Sequence, residues 1–458
     1  MTLHNYIESI KDKRIGVVGV GVSNMPLIVK LLENGCDVTA CDKRAADAMG
    51  KDYDKLASMG AKFCLGENYL EKLDFDIVFR TPGLMPFDEH LERVRQSGGI
   101  VTSEMEVFFA LCPCKILAVT GSDGKTTTTT IISELLKAQG YNVHLGGNIG
   151  RPLLCDVDSM STDDFAVLEL SSFQLHSMNC RPSVAVITNI SPNHLDKHKD
   201  YQDYIDAKSS IFLNQDKNDR LVLNHENEYS EYYRNQAKSN VNYFSRVFKP
   251  ENGVYSDDKC VYRVIGGKEE KIMDIDDIKL PGTHNLENYM AAFAATQGLV
   301  SNETCERVAK TFNGVEHRLE RVREKDGVLF INDSIGTSPS RTAAGLHALK
   351  VKPILIAGGY DKHIPFDSLG DEICRNVKAL YLCGATAGKI SDAVKASKLY
   401  TEDFKMIIMD DFKETVIAAA NYAESGDTVL LSPACAAFDQ FKNFMERGKY
   451  FKQIVMEL

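Results

Sequence analysis

Thr120-Gly121-Ser122-Asp123-Gly124-Lys125-Thr126-Thr127-Thr128-Thr129-Thr130 follows the apolar run Lys115-Ile-Leu-Ala-Val119 and opens into Thr130-Ile-Ile-Ser-Glu-Leu-Leu-Lys137. A strand, a turn of small residues and a helix, in that order, build a cradle for a triphosphate. Small residues let successive backbone N–H groups turn toward phosphate oxygens, the lysine reaches the outer phosphates, the hydroxyl after it holds Mg²⁺, and the helix N-terminus adds positive dipole. Gly121, Ser122, Asp123, Gly124, Lys125, Thr126 and Thr127 are therefore candidate contacts to ATP or GTP. Val119 stands where the strict pattern has its first glycine, which makes this a variant P-loop. A bare Gly-Lys-Thr also occurs as an ordinary helix start; the strand before it and the helix after it favour the nucleotide reading.

Outward from this stretch, short apolar runs alternate with helical segments, the pattern of parallel sheets with crossover helices. An α/β chain of 458 residues exceeds what one core usually serves, and three blocks are expected. Residues 1–108 read as a Rossmann-like domain, 109–314 as a central P-loop domain, and 315–458 as a second Rossmann-like domain. A polar insertion near 225–275 is expected to form surface strands and loops. A net charge of -11 argues against nucleic acid, and no stretch approaches the roughly 18 apolar residues of a membrane span. The 12 cysteines contain no CxxC pair, and Cys112-Pro-Cys114 reads as two small packed groups, so free thiols in the cytoplasm are expected.

Gly16-Val-Val-Gly19-Val-Gly21-Val-Ser-Asn24 approaches a dinucleotide fingerprint, but Asn24 replaces its last glycine. Asp42 ends the second strand, where an acid meets a ribose or a base edge, and Arg44 could pair with phosphate. A nucleotide-linked ligand fits better than a redox cofactor; a glycine turn needed only for packing is the plain alternative. Glu169 ends an apolar strand and His194 follows the next one, so both are expected to face the P-loop as Mg²⁺ ligands. Lys208 by itself reads as a solvated helix lysine. His317-Arg318 offers a cation for phosphate, with a surface ion pair as the alternative.

Together, Thr120-Gly-Ser-Asp-Gly-Lys-Thr-Thr127, Gly147-Asn-Ile-Gly150, Leu168-Glu-Leu-Ser-Ser-Phe-Gln-Leu175, His194-Leu-Asp196, Gly282-Thr-His-Asn285 and Glu316-His-Arg318 resemble the Mur ligase family, in that family's order through nearly the whole chain. Leu431-Ser-Pro-Ala-Cys-Ala-Ala-Phe438-Asp-Gln-Phe is similar to the branch that adds D-glutamate, and it separates the chain from folylpoly-glutamate synthases. The resemblance implies a three-domain architecture and an ATP-dependent ligase, expected as a monomer, that joins D-glutamate to UDP-N-acetylmuramoyl-L-alanine through an acyl phosphate. It implies that Lys125 and Arg318 stabilise phosphoryl charge, that Thr126 and Glu169 hold one Mg²⁺, and that His194 and a carbamylated Lys208 hold a second. By the same likeness Asp42, Arg44, Thr81 and Gly83 meet the uridine and diphosphate, and Asn148 meets the substrate sugar. Asn285, Asn288 and Asp333 fall on the adenosine side, and Thr337, Lys362, Ser432 and Phe438 in the glutamate pocket.

One position departs from the family. Asn332-Asp-Ser-Ile335 has isoleucine where many members have lysine. Ser338 and Pro339 read as the N-cap and first residue of a helix, and Arg341 in its first turn is the candidate replacement cation, with a surface salt bridge as the alternative.

Overall fold

A computed structural model describes residues 1–192, 197–280, 282–349, 351–361 and 364–458. Two of the residues singled out above, His194 and Lys362, lie outside the described residues. The chain divides into two compact units, Met1–Phe312 and Asn313–Leu458.

In the first unit, strands β1 (Arg14–Val18), β2 (Asp37–Asp42), β3 (Lys62–Leu65), β4 (Ile77–Phe79) and β5 (Ile100–Thr102) pair in parallel in the order 3-2-1-4-5. The order reverses between β1 and β4, and a crevice opens at the carboxyl ends of strands at such a reversal. The Gly19 turn leaves β1 there, and Arg80 and Thr81 leave β4 beside it. Gly19 has φ 86°, and a Cβ on it would lie 2.9 Å from the Thr81 Cβ, so the turn admits no side chain.

A second sheet follows, built from β6 (Lys115–Thr120), β7 (Val143–Gly147), β8 (Phe165–Glu169), β9 (Val184–Ile187), β10 (Arg220–Asn224), β11 (Asn240–Ser245), β12 (Gly253–Ser256), β13 (Cys260–Ile265) and β14 (Lys268–Asp274). Its order is 14-13-12-11-10-9-6-8-7, parallel except where β13 pairs with β12 and β14. The polar insertion thus forms strands that extend this second sheet. The helix Lys125–Gln139 presents Ile131, Ile132, Leu135 and Leu136 to the core, and the helix Thr283–Ala295 is buried continuously from Tyr289 to Ala295. Each fully buried aliphatic side chain of this kind contributes about 1.5–3 kcal/mol. That packing holds the helix N-terminus at the end of β6.

The second unit contains β15 (Glu320–Lys325), β16 (Val328–Asn332), β17 (Ile354–Ala357), β18 (Ala379–Leu382), β19 (Met406–Ile408) and β20 (Thr428–Leu431), in the order 15-16-20-17-18-19. Only β15 pairs antiparallel among these described strands. The helix Pro339–Ala348 begins as expected, with Pro339 in its first turn and Ser338 extended at the N-cap, although the Ser338 hydroxyl makes no capping bond.

Candidate nucleotide and substrate site

The turn after β6 depends on its glycines. Gly121 has φ 147° and Gly124 has φ 77°; a Cβ would lie 1.9 Å from the Thr188 Oγ1 at the first and 2.3 Å from the Asn288 Oδ1 at the second. Both close approaches come from distant elements. Thr188 follows β9 and donates to the Asp123 carbonyl at 2.6 Å, while Asn189 Oδ1 accepts the Asp123 N–H at 2.9 Å. Ser122 pairs its hydroxyl with that of Tyr204 at 2.8 Å. Thr188, Asn189 and Tyr204 are thus supports that sequence reasoning did not single out. Asn288 also accepts from Thr128 at 3.2 Å, which makes it a brace under the turn from the helix Thr283–Ala295. Asn285, on the same helix, is buried. Thr126 and Thr127 are half-buried at the helix start.

Two lysines converge on this turn. Lys125 donates from Nζ to the carbonyls of Gly121 at 2.9 Å and Ser122 at 2.7 Å. Lys208, carried by the helix Tyr201–Ser209, donates to the same Gly121 carbonyl at 2.8 Å and to Thr120 Oγ1 at 3.3 Å. Its side chain is 1% exposed, which overturns the solvated reading. Burial first, and then the charge of Lys125, holds the Lys208 amine well below the usual lysine range.

Glu169 ends β8, the neighbour of β6, and is 2% exposed. Its Oε1 accepts from Asn148 Nδ2 at 2.8 Å, and its Oε2 is buried with no hydrogen-bond partner among the described residues. A buried carboxylate oxygen without a donor is costly unless a cation meets it. The oxygen-donor set of Glu169 and the hydroxyl of Thr126 suits Mg²⁺.

A cleft in the same unit runs from the Gly19 turn to Asn148, lined among others by Asn24, Arg80, Ser103, Glu104, Gly150 and Gln174. Asn24 stands where the fingerprint has glycine because its Nδ2 closes the turn, donating to the carbonyls of Val18 at 3.0 Å and Gly19 at 3.1 Å. Asp42 and Arg44 form a fork with each other: Arg44 Nε and Nη2 reach the two carboxylate oxygens at 3.0 Å each, and Asp42 also accepts the Val20 N–H at 2.8 Å. Burial alone would raise the Asp42 carboxyl, but these bonds outweigh it and hold the group below its ordinary range. The two residues therefore present a joined pair rather than two open groups. Thr81 packs beneath the Gly19 turn, and Gly83 is exposed with open space around it.

In the second unit, Asp333 accepts from Ser432 Oγ at 2.7 Å and from the Leu319 N–H at 3.2 Å, and burial raises its carboxyl to about 6 despite both bonds and the charges of Arg318 and Arg341. Thr342 completes the cluster, its hydroxyl 2.9 Å from that of Ser432. His317 adopts φ 65° and is 3% exposed, with Nδ1 accepting from Asn332 Nδ2 at 2.9 Å; it is a buried, hydrogen-bonded ring rather than an open cation. Arg318 is exposed. Arg341 is exposed too, its guanidinium 3.5 Å from the Ile335 carbonyl. Thr337 is half-buried, and Phe438 is 62% exposed with its ring edge-on to Tyr360.

Three sheets of largely parallel strands, with a P-loop flanked by a buried carboxylate and a buried lysine, define a P-loop α/β protein. The chain matches the Mur ligase middle domain over residues 119–296 and the Mur ligase glutamate ligase domain over residues 317–435. It is 50% identical, over 100% of its length and 99% of the relative's, to a UDP-N-acetylmuramoylalanine--D-glutamate ligase from Ruminiclostridium cellulolyticum. A protein of the same name from Acetivibrio thermocellus is 49% identical over 99% of this chain and 98% of that one. Among solved structures, the UDP-N-acetylmuramate-alanine ligase MurC from Thermotoga maritima shares the fold, with a TM-score of 0.57 at 17% identity, covering 97% of this chain and 99% of that chain. The chain belongs to the Mur ligase family.

Proposed function

We propose that this protein is an ATP-dependent ligase that joins D-glutamate to UDP-N-acetylmuramoyl-L-alanine in the synthesis of peptidoglycan precursors. The observation that carries the reading is the P-loop turn with Lys125, Lys208 and Glu169 gathered on it, in a chain whose full-length relatives at about half identity bear the name of that ligase. The alanyl carboxylate attacks the γ-phosphorus of ATP, and the bond from that phosphorus to the ADP oxygen breaks. The D-glutamate nitrogen then attacks the acyl carbon, phosphate leaves with the C–O electron pair, and the nitrogen loses its proton. Little covalent chemistry falls to the protein, so its residues position reactants and neutralise oxygens that gain charge.

In this reading Lys125 turns from the Gly121 and Ser122 carbonyls to the phosphates, and Arg318 supplies a further cation. Thr126 and Glu169 would hold one Mg²⁺, and His194 and Lys208 a second, the ions neutralising phosphate oxygens. Lys208 is read as carbamylated: its neutral Nζ attacks the carbon of CO₂, one C–O electron pair moves onto oxygen, and Nζ releases a proton. The Asp42–Arg44 fork, Thr81 and Gly83 receive the uridine diphosphate, and Asn148 the sugar. Asn285, Asn288, His317 and Asp333 serve the adenosine side, and Thr337, Arg341, Lys362, Ser432 and Phe438 the D-glutamate. The division of labour follows residues 1–108, 109–314 and 315–458, in a monomeric cytoplasmic enzyme. Among the described residues no helix is long and apolar enough to cross a membrane. Phosphate release that requires the UDP-sugar and D-glutamate together tests the assignment; release indifferent to both contradicts it.

A further inference from the structure

A chain of hydrogen-bonded side chains beside the P-loop, buried at Ser172 and His198 and half-buried at Asp203 and His176, has no part in the chemistry above. His198 is 4% exposed, with Nδ1 2.9 Å from Asp203 Oδ2 and Nε2 3.0 Å from Ser172 Oγ. The other Asp203 oxygen lies 2.9 Å from His176 Nε2. A carboxylate only accepts, so the protons sit on His198 Nδ1 and His176 Nε2; in the neutral imidazole His198 Nε2 then accepts from the Ser172 hydroxyl. Burial alone would raise the Asp203 carboxyl, yet the bonds from His176 and His198 outweigh it and keep the group below its ordinary range. The His198 ring is also stacked on Phe173, centroids 5.4 Å apart, and meets Tyr204 edge-on at 5.3 Å.

The ligand atoms of His176, His198 and Asp203 lie within 4.8 Å of one another, close enough to surround a metal ion. The hydrogen bonding favours protons instead. Both imidazole nitrogens that face Asp203 already donate to it, and the remaining nitrogen of His198 is engaged by Ser172.

The chain of bonds joins two segments. Ser172 opens the short helix Ser172–Leu175, three residues beyond Glu169, and Asp203 sits in the helix that carries Tyr204 and Lys208. We propose that Ser172, His198, Asp203 and His176 form a positioning relay that fixes the segment following Glu169 against the helix bearing Lys208, and so sets how tightly the site takes its metal. The proposal rests on the ligase reading above. Removal of groups that orient metal ligands typically costs 10- to 100-fold in metal affinity, which sets the size of the effect.

The test measures the Mg²⁺ dependence of D-glutamate-dependent phosphate release, and separately the binding of Mn²⁺ to the ADP complex by electron paramagnetic resonance, for the full chain and for Ser172→Ala, Ser172→Thr, His198→Ala, His176→Ala and the double variant Ser172→Ala/His198→Ala. Expected are an at least tenfold rise in the Mg²⁺ concentration for half-maximal rate in Ser172→Ala, with the KM for the UDP-sugar within twofold of wild type. Ser172→Thr restores the wild-type value, and the double variant is no worse than His198→Ala, since both cut one chain of bonds. Should His198→Ala fail to fold, Ser172→Ala, which removes one hydroxyl, decides. Wild-type metal dependence in Ser172→Ala, with unchanged Mn²⁺ binding, overturns the relay. So does one equivalent of zinc in the purified protein that is lost in His176→Ala. A wild type that binds Mn²⁺ with ADP but releases no phosphate with D-glutamate contradicts the ligase reading alone, and the Mn²⁺ titrations of the variants then judge the relay.

Discussion

Lys125 and Lys208 donate to one and the same oxygen, the carbonyl of Gly121, at 2.9 and 2.8 Å. Two ammonium groups at such a separation repel, and Lys208 is the one without access to water. Its amine is held well below the usual lysine range by burial first and by Lys125 second, while Glu169 and Asp123 pull the other way. A neutral amine has the lone pair that attack on CO₂ requires, and the resulting anion would relieve the repulsion.

Lys208→Ala is therefore expected to lower turnover by at least two orders of magnitude, with partial recovery in bicarbonate or a short-chain carboxylic acid. A carbamate resonance in ¹³C NMR after equilibration with labelled bicarbonate, absent from the variant, gives a readout independent of turnover. Full activity of Lys208→Ala without additives contradicts the modification.

Lys125→Ala removes a cation whose interaction strengthens as phosphoryl charge develops, so kcat is expected to fall by about two or more orders of magnitude. UDP-sugar binding, measured by calorimetry, should survive, because the Asp42–Arg44 fork lies on the first sheet. Gly124→Ala should weaken ATP binding as well: its Cβ would stand 2.3 Å from Asn288 Oδ1 at a φ of 77°, so the turn must shift. A variant with unaltered ATP affinity would show that the turn can absorb a side chain.

The alternation of apolar runs with helical segments was enough to read the parallel sheets, and the strand, small-residue turn and helix around Gly124 to read the cradle. Side-chain partnerships were less legible. Asp42 and Arg44 read as separate ligand contacts, yet they bind each other, because the β2 carboxyl end brings the guanidinium back over the carboxylate. Lys208 read as solvated because most lysines are, and only its placement in the fold, with Nζ turned onto Thr120 Oγ1 and the Gly121 carbonyl at the end of β6, buries it. Thr188, Asn189 and Asn288 brace the P-loop from elements 60 or more residues away in sequence. The relay through His198 joins helices whose apolar patterns say nothing about hydrogen bonds.

Ile335 removes a cation from the proposed glutamate pocket, and Arg341 stands in the first turn of the helix Pro339–Ala348, where the helix dipole disfavours a cation unless an anion is near. Arg341→Ala is expected to raise the KM for D-glutamate at least several-fold, with the ATP and UDP-sugar values little changed. Unchanged D-glutamate kinetics would make Arg341 a surface residue.

Glu104 lines the cleft, accepts the Leu154 N–H at 2.8 Å, and is raised to about 7 by burial against the lowering effect of that bond. Because its folded value lies above its unfolded one, the stability it contributes is fully present below pH 4.5 and is lost as the pH rises through about 7. Glu104→Gln, which keeps the acceptor, should match wild type in urea unfolding near pH 4.5 and exceed it by about 3 kcal/mol near pH 8.5. A pH-independent difference would show that folding leaves the Glu104 carboxyl at its ordinary value.

The central claim is the ligase reaction, and phosphate release followed in parallel with product mass tests it most directly. With ATP, Mg²⁺ and UDP-N-acetylmuramoyl-L-alanine present, D-glutamate is expected to release one phosphate per UDP-sugar consumed and to give a product heavier by one glutamyl residue, while L-glutamate gives neither. Phosphate release without that product, or equal turnover with another amino acid, would contradict the assignment.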